Sequence, residues 1–177
     1  MQLKENWAVI KKLFGQSFWS SFHYALATVN ENDEPHVTPI GSLILRDPGH
    51  GIYFEEFTRQ LPRNFQEHKH VCVLAVNSSR WFWIKSLFVG RFSSPPAIRL
   101  FGTVGDVREA TEKEIKLWHH RVRSVRSSKG YALMWKNMRM VRDIEFSRVE
   151  PVYIGEMTHD IWETLSKSEK FMGMFQS

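Results

Sequence analysis

Cysteine is almost absent from this chain: Cys72 stands alone among 177 residues, which excludes an internal disulfide. It lies in the apolar run HVCVLAV, so a buried small side chain is a better reading than a nucleophile. Long hydrophobic runs are missing too, and the opening MQLKENW has no apolar core of a signal peptide. The expectation is a soluble, cytoplasmic protein with no membrane partner. GxGxxG and P-loop patterns, a GxSxG elbow and HExxH or Cys-rich zinc spacing are all lacking. Eight histidines remain, but His68 and His70 are two apart, and adjacent His119 and His120 point in different directions on a predicted helix. No metal site is read from them.

Aromatic residues, in contrast, are abundant. Seven Trp and thirteen Phe supply more ring surface than a chain of this length usually carries, and that surface needs a core, a flat ligand or another subunit to cover it. A hydrophobic content of 42% excludes disorder as the main state. The net charge of +5 favours anionic partners without choosing among phosphorylated small molecules, nucleic acid and acidic lipid. The densest basic stretch, Arg121 to Arg142, follows Glu109, Glu112 and Glu114 and reads as helix, so a solvated face is the default and a nucleic-acid groove the lesser reading.

Residues 1–177 read as one domain. Leu3, Trp7, Ile10 and Phe14 predict an amphipathic helix over 3–15, stopped by Gly15. Strands are expected at His23 to Val29, His36 to Leu45, Gly51 to Phe57, Val71 to Val76, Trp81 to Val89 and Ile98 to Val107. Six strands joined mostly by short turns favour an antiparallel closed structure over a parallel sheet, whose neighbours need long crossovers. Thr111 with Glu114 forms a capping-box pattern opening a helix to about Val125, and a second helix is expected over Tyr131 to Val141. Asp143 to Met157 reads as a late strand, and Asp160 as the cap of a final helix to about residue 172.

Between the strands ending at Phe57 and beginning at Val71 lies a polar and basic cluster: Thr58, Arg59, Arg63 and Asn64. Gln60 to His68 is long enough for about two helical turns, with Pro62 near its start. A hydroxyl and two guanidiniums at a strand-to-helix junction suit a phosphate, because the helix N-terminus adds free N–H donors. From these residues alone a solvated basic turn remains the better reading, since surface charge is common.

The order of elements around the cluster changes that. Leu26-Ala27-Thr28, Pro35 to Ile40, Ile52-Tyr53-Phe54 and Thr58 through Phe65, followed by Phe101 to Ile115, resemble the successive motifs of the pyridoxamine 5′-phosphate oxidase-like FMN-binding split-barrel family. The close match covers about a third of the chain. The resemblance implies a mainly β, six-stranded antiparallel split β-barrel of Greek-key type with flanking helices, forming a homodimer with FMN in each interface cleft. Carried over by position, Thr58 and Arg63, with Arg59, would hold the FMN phosphate, and Asn64 would orient their loop. Val37, Thr38, Pro39 and Ile40 would run beside the isoalloxazine, and Phe54, Glu55 and Phe57 would line the cleft. From the second subunit Trp83 and Lys85, placed on one face of a strand, would cover the ring. Arg63 replaces the family's usual lysine and keeps its charge. The carboxy-terminal SEKFMGMFQS lacks the arginine-rich signature of true pyridoxamine phosphate oxidases, so vitamin B6 oxidation is not the expected activity. The expected function is an FMN oxidoreductase acting on a small molecule, with NADH or NADPH as the reductant to try and no acid or base singled out. The alternative is a non-catalytic binder or sensor of flavin, haem or another planar ligand.

Overall fold

The computed structural model describes residues 1–56 and 58–162. The first helix, α1 (Trp7–Ser21), starts and ends later than its apolar spacing predicts. Gly15 does not stop it, because the inward face continues through Ser17 and Phe18, and the helix ends where Phe22 turns left-handed at φ 61°. Seven strands among the described residues follow the expected alternation in most places: β1 (Tyr24–Val29), β2 (Pro35–Ile40), β3 (Leu43–Leu45), β4 (His50–Phe54), β5 (His70–Val76), β6 (Ala97–Glu109) and β7 (Met140–Pro151). Helix α2 (Gln60–Glu67) lies between β4 and β5, α3 (Arg80–Val89) between β5 and β6, and α4 (Glu112–Arg121) and α5 (Lys129–Met134) between β6 and β7.

Seven strands replace the expected six for two reasons. The run from His36 to Leu45 is broken at Gly41-Ser42 into two strands, and the run from Trp81 to Val89 is α3, a helix rather than a strand. Ser79 caps α3 by accepting from the Phe82 N–H, and Gly90 ends it at φ 73°. Those two caps decide the conformation against the strand preference of the rings between them. The second helix expected over Tyr131 to Val141 stops at Met134, and Met140 and Val141 already belong to β7. Beyond Trp162 the expected final helix lies outside the described residues.

All seven strands form one antiparallel sheet in the order β2-β1-β5-β6-β7-β4-β3. Its two edge strands, β2 and β3, are separated in the chain only by Gly41-Ser42, so the sheet has to curl until its edges meet at that corner. This is a barrel split between β2 and β3. At the joint the Ser42 hydroxyl donates to the Phe54 carbonyl at 2.8 Å. Helix α1 closes the interior, packing Trp7, Ile10, Phe14 and Phe18 against Leu26, Val73, Leu100 and Phe146. A smaller cluster of Ile52, Phe54, Trp118, Val122, Tyr131, Met138 and Val141 fixes α4 and α5 to β4 and β7. Among the described residues no helix is long and apolar enough to cross a membrane.

The predicted capping box at Thr111 and Glu114 is present, and it does more than start α4. Glu114 is buried and also accepts from both terminal nitrogens of Arg108 at 2.9 Å and from Arg46 at 3.0 Å. The Arg108 guanidinium, against the opposing effect of burial and with help from Thr111, pulls the Glu114 carboxyl from its usual 4.5 down to about 2. A depressed folded-state value stabilises above pH 4.5, and that contribution is lost as pH falls toward 2. Glu114→Gln should therefore lower stability at pH 7 by on the order of 2–3 kcal/mol. In urea titrations at a series of pH values the gap to the wild type should close between those limits. A gap independent of pH would show that the charge contributes nothing.

Candidate functional site

A cavity of about 450 Å3 opens where the end of β2, the end of β4, the last turns of α1 and the α4–α5 unit converge. Pro39, Ile40, Gly41 and Ser42 form one wall, Phe54 and Thr58 a second, and Phe18, Trp19 and Phe22 a third. Trp118, Arg121, Met134, Trp135 and Met138 close the far side. Trp118 is held by its indole N–H, which donates to the Trp135 carbonyl at 3.1 Å, and its ring packs 5.5 Å from Phe54. The volume is that of an ordinary small-molecule site, and a few polar groups set in apolar walls fit the same description.

Thr58 reaches this cavity at the end of a buried polar chain. Arg142 pairs with Glu55 through Nε to Oε2 at 2.5 Å and Nη2 to Oε1 at 2.9 Å, with both side chains at most 10% exposed. The Tyr53 hydroxyl donates to Glu55 at 3.1 Å and lies 2.9 Å from the Thr58 hydroxyl. Burial raises the Tyr53 phenol well above its usual value, so it stays protonated and keeps Glu55 and Thr58 in line. Glu55 is thus an ion-pair partner and does not line the cavity among the described residues.

Helix α2 begins two residues after Thr58. Its N-terminus has no side-chain cap among the described residues, and Arg59 and Arg63 sit four residues apart, on one side of its first turn. Both are exposed, and neither forms an ion pair among the described residues. Asn64 is buried: it donates to the Thr28 hydroxyl at 2.8 Å and accepts from Gln60 at 2.9 Å, which ties α2 to β1.

Of the residues singled out in the sequence, the fold brings Pro39, Ile40, Phe54 and Thr58 into one cavity and sets Arg59 and Arg63 beside it along the chain. Val37 is exposed on the outer edge of the barrel, Thr38 is half-buried, and Phe57 lies outside the described residues. The strand placement of Trp83 and Lys85 needs correction: they lie on helix α3, where they diverge instead of sharing a strand face. Trp83 donates to the Asn77 carbonyl at 2.6 Å, and Lys85 borders a separate hollow with Arg91 and Phe92. The sequence reading missed Trp118, Arg121 and Trp135, because their stretch read as a solvated helical face. Burial of Trp118 and Val122, four residues apart, beside exposed Leu117 and His120 shows that the face is only partly solvated.

Comparison with known proteins agrees with this architecture. Among solved structures, an FMN-binding protein from Syntrophomonas wolfei is similar at 13% identity and a TM-score of 0.54, covering 85% of this chain and 94% of its own. HupZ of Group A Streptococcus is similar at 16% identity and a TM-score of 0.52, covering 82% and 92%. The heme storage protein HutZ of Vibrio cholerae follows at 15% identity and a TM-score of 0.50, covering 85% and 95%. At such identities the likeness establishes the split-barrel fold alone. No curated protein matches this sequence. The family model described as pyridoxamine 5′-phosphate oxidase matches residues 16–153, from within α1 to just past β7. Because that match takes in every strand of the barrel, the chain belongs to the pyridoxamine 5′-phosphate oxidase family.

Proposed function

We propose that this protein is a cytoplasmic FMN-binding flavoprotein that works as an oxidoreductase in a homodimer. The observation that carries the reading is the turn after β4, where Thr58 and the start of α2, which has no side-chain cap, stand with Arg59 and Arg63, two exposed cations with no ion pair among the described residues. A flavin phosphate supplies an acceptor for them. From there the isoalloxazine would lie along Val37, Thr38, Pro39 and Ile40. As the edge of the sheet, β2 turns half of its backbone groups away from β1, toward whatever lies beside it. FMN would supply the hydride or electron chemistry when bound, while the chain holds the phosphate, orients the ring and excludes water with apolar walls. The FMN-binding neighbour of the same fold supports the cofactor class.

Arg63→Ala should weaken FMN binding by about 10- to 100-fold, the value of a charge-assisted phosphate contact. Quenching of flavin fluorescence measures it, and unchanged affinity would remove Arg63 from the site.

The second subunit is supported by α3, whose Trp81, Ile84, Leu87, Phe88 and Val89 are all exposed, with Phe88 at 90%. That much apolar surface on one short helix suits burial against a second copy of the chain. Sedimentation should find a dimer for the wild type and a monomer for Leu87→Glu/Phe88→Glu; a dimer in both would place the interface elsewhere. In this arrangement Trp83 and Lys85 would approach the partner's flavin.

A non-catalytic flavin or haem binder is the competing reading. It is favoured by the cavity wall, which among the described residues offers hydroxyls and one arginine but no carboxylate or histidine for proton transfer. Bleaching of bound FMN by NADH or NADPH, with recovery in air, decides for the enzyme; flavin that neither reduces decides for the binder.

A further inference from the structure

Arg121 differs from Arg46, Arg108 and Arg142. Arg142 meets Glu55, and Arg46 and Arg108 meet Glu114, so each of these partly or largely buried cations has its carboxylate. Arg121 has none among the described residues. Nη1 donates to the Leu43 carbonyl at 2.7 Å and Nη2 to the Tyr24 hydroxyl at 2.8 Å, both neutral acceptors. Its Nε is buried without a partner, and its guanidinium carbon lies 3.8 Å from the centre of the Phe18 ring. Nor does Tyr24 serve as a counter-ion: burial, outweighing the opposing effect of Arg121, raises its phenol above the usual value and keeps it neutral. A half-buried cation without an anion is costly to keep, and a guanidinium has five N–H donors to satisfy.

The surroundings define what could satisfy it. Among the described residues Arg121 is the one charged residue in the wall of the 450 Å3 cavity, and Phe18, Trp19, Phe22, Phe54, Trp118 and Trp135 contribute rings around it. The same residue also borders a second hollow of about 470 Å3 between α1 and α4, which Lys11, His120 and Arg123 line as well. The phosphate cluster at Arg59 and Arg63 already provides for a strongly charged, hydrated group. Aromatic walls with a single guanidinium suit a ligand that is apolar over most of its surface and carries one negative charge.

We propose that this cavity binds an apolar monocarboxylate, an acid with an aromatic or alicyclic body, whose carboxylate is recognised by Arg121. The site stands on the cavity itself, whereas naming its occupant as the substrate rests on the flavoprotein reading. Its place beside Pro39, Ile40 and Phe54 would put that occupant against the ring of a flavin running along β2. A purely structural Arg121, tying α4 to β3 and β1, would not distinguish an acid from its amide.

Isothermal titration of the full-length protein with 2-naphthoate and with 2-naphthamide provides the test. The acid should bind about tenfold or more tightly than the amide, the difference made by a charge-assisted contact. Arg121→Met should erase that preference. Since Arg121 also anchors Leu43 and Tyr24, Met134→Trp is the companion variant: it narrows the cavity from an exposed position on α5, leaves that anchorage intact and should weaken naphthoate binding. Separate FMN titrations distinguish the two readings. Arg63→Ala should weaken FMN binding by about 10- to 100-fold and keep naphthoate. Failure of FMN to bind, with the naphthoate results as expected, would sink the flavoprotein reading and leave this site standing. Equal affinity for acid and amide, a preference that survives Arg121→Met, naphthoate binding undiminished in Met134→Trp, or displacement of FMN by naphthoate would overturn the site.

Discussion

Arg142→Met is expected to destabilise the protein by about 3–5 kcal/mol, because it leaves the Glu55 carboxylate buried with the Tyr53 hydroxyl as its remaining side-chain partner. The pair itself is not what stabilises the fold, since taking two charges out of water costs nearly as much as their attraction returns. Glu55→Gln/Arg142→Met should accordingly recover much of the loss, and a double-mutant cycle in urea will show a strong coupling between the two positions. Thr58 hangs from the same chain through Tyr53, so the single variant should also bind FMN more weakly than its stability alone explains. A cost below about 1 kcal/mol, the level of a surface pair, would mean that water reaches Glu55.

Gly102→Ala should be at least as severe. A Cβ at Gly102 would stand 2.2 Å from the Glu145 carbonyl oxygen and 2.9 Å from its carbonyl carbon, and both atoms are backbone. The close approach arises at a bulge, where Phe101 faces Arg148 but Gly102 already faces Phe146. No rotamer change relieves such a contact; β6 and β7 have to move apart at the centre of the barrel. Ordinary overpacking costs about 1–3 kcal/mol, and this site should exceed it. Gly105→Ala is the control, because a Cβ there meets Asp143 at an ordinary 3.6 Å. Thermal unfolding should show Gly105→Ala near the wild type and Gly102→Ala far below it or insoluble. Similar midpoints for the two would mean that the bulge yields easily.

How much of this was legible depended on whether the deciding interactions were local. The strands β1, β5 and β6 could be read from alternation, and their buried positions, such as Leu26, Val73 and Leu100, fall on the inward face. The Thr111–Glu114 capping box could be read because its partners are three residues apart. Helix α3 was misread although its caps were visible at Ser79 and Gly90, since a run of Trp, Phe, Ile and Val between them carries strand preference. The break at Gly41-Ser42 was hidden because the residues on either side continue the same extended pattern. Only the sheet order shows that they belong to opposite edges.

The candidate site divides in the same way. Thr58, Arg59 and Arg63 were legible because one strand-to-helix turn holds them all. The cavity was not, since α1, β2, β4, α4 and α5 each contribute a wall. Arg121 and Arg142 sat in a basic stretch that looked solvated. What buries them is contact with Leu43, Tyr24 and Glu55, far upstream in the chain.

The pairing of β4 with β7 also governs the order in which the barrel can assemble. His50 lies opposite Glu145 and Phe54 opposite Val141, so the β3–β4 hairpin has no neighbour on its inner side until nearly the whole described chain is available. The β1–β2 hairpin, by contrast, finds its partner as soon as β5 exists. During synthesis one half of the sheet can therefore form while Ile52, Tyr53 and Phe54 wait with an unpaired edge, and closure pays the entropy of a very long loop. Folding should be slow, and in that interval the waiting hairpin is the segment most open to wrong pairing or to a chaperone.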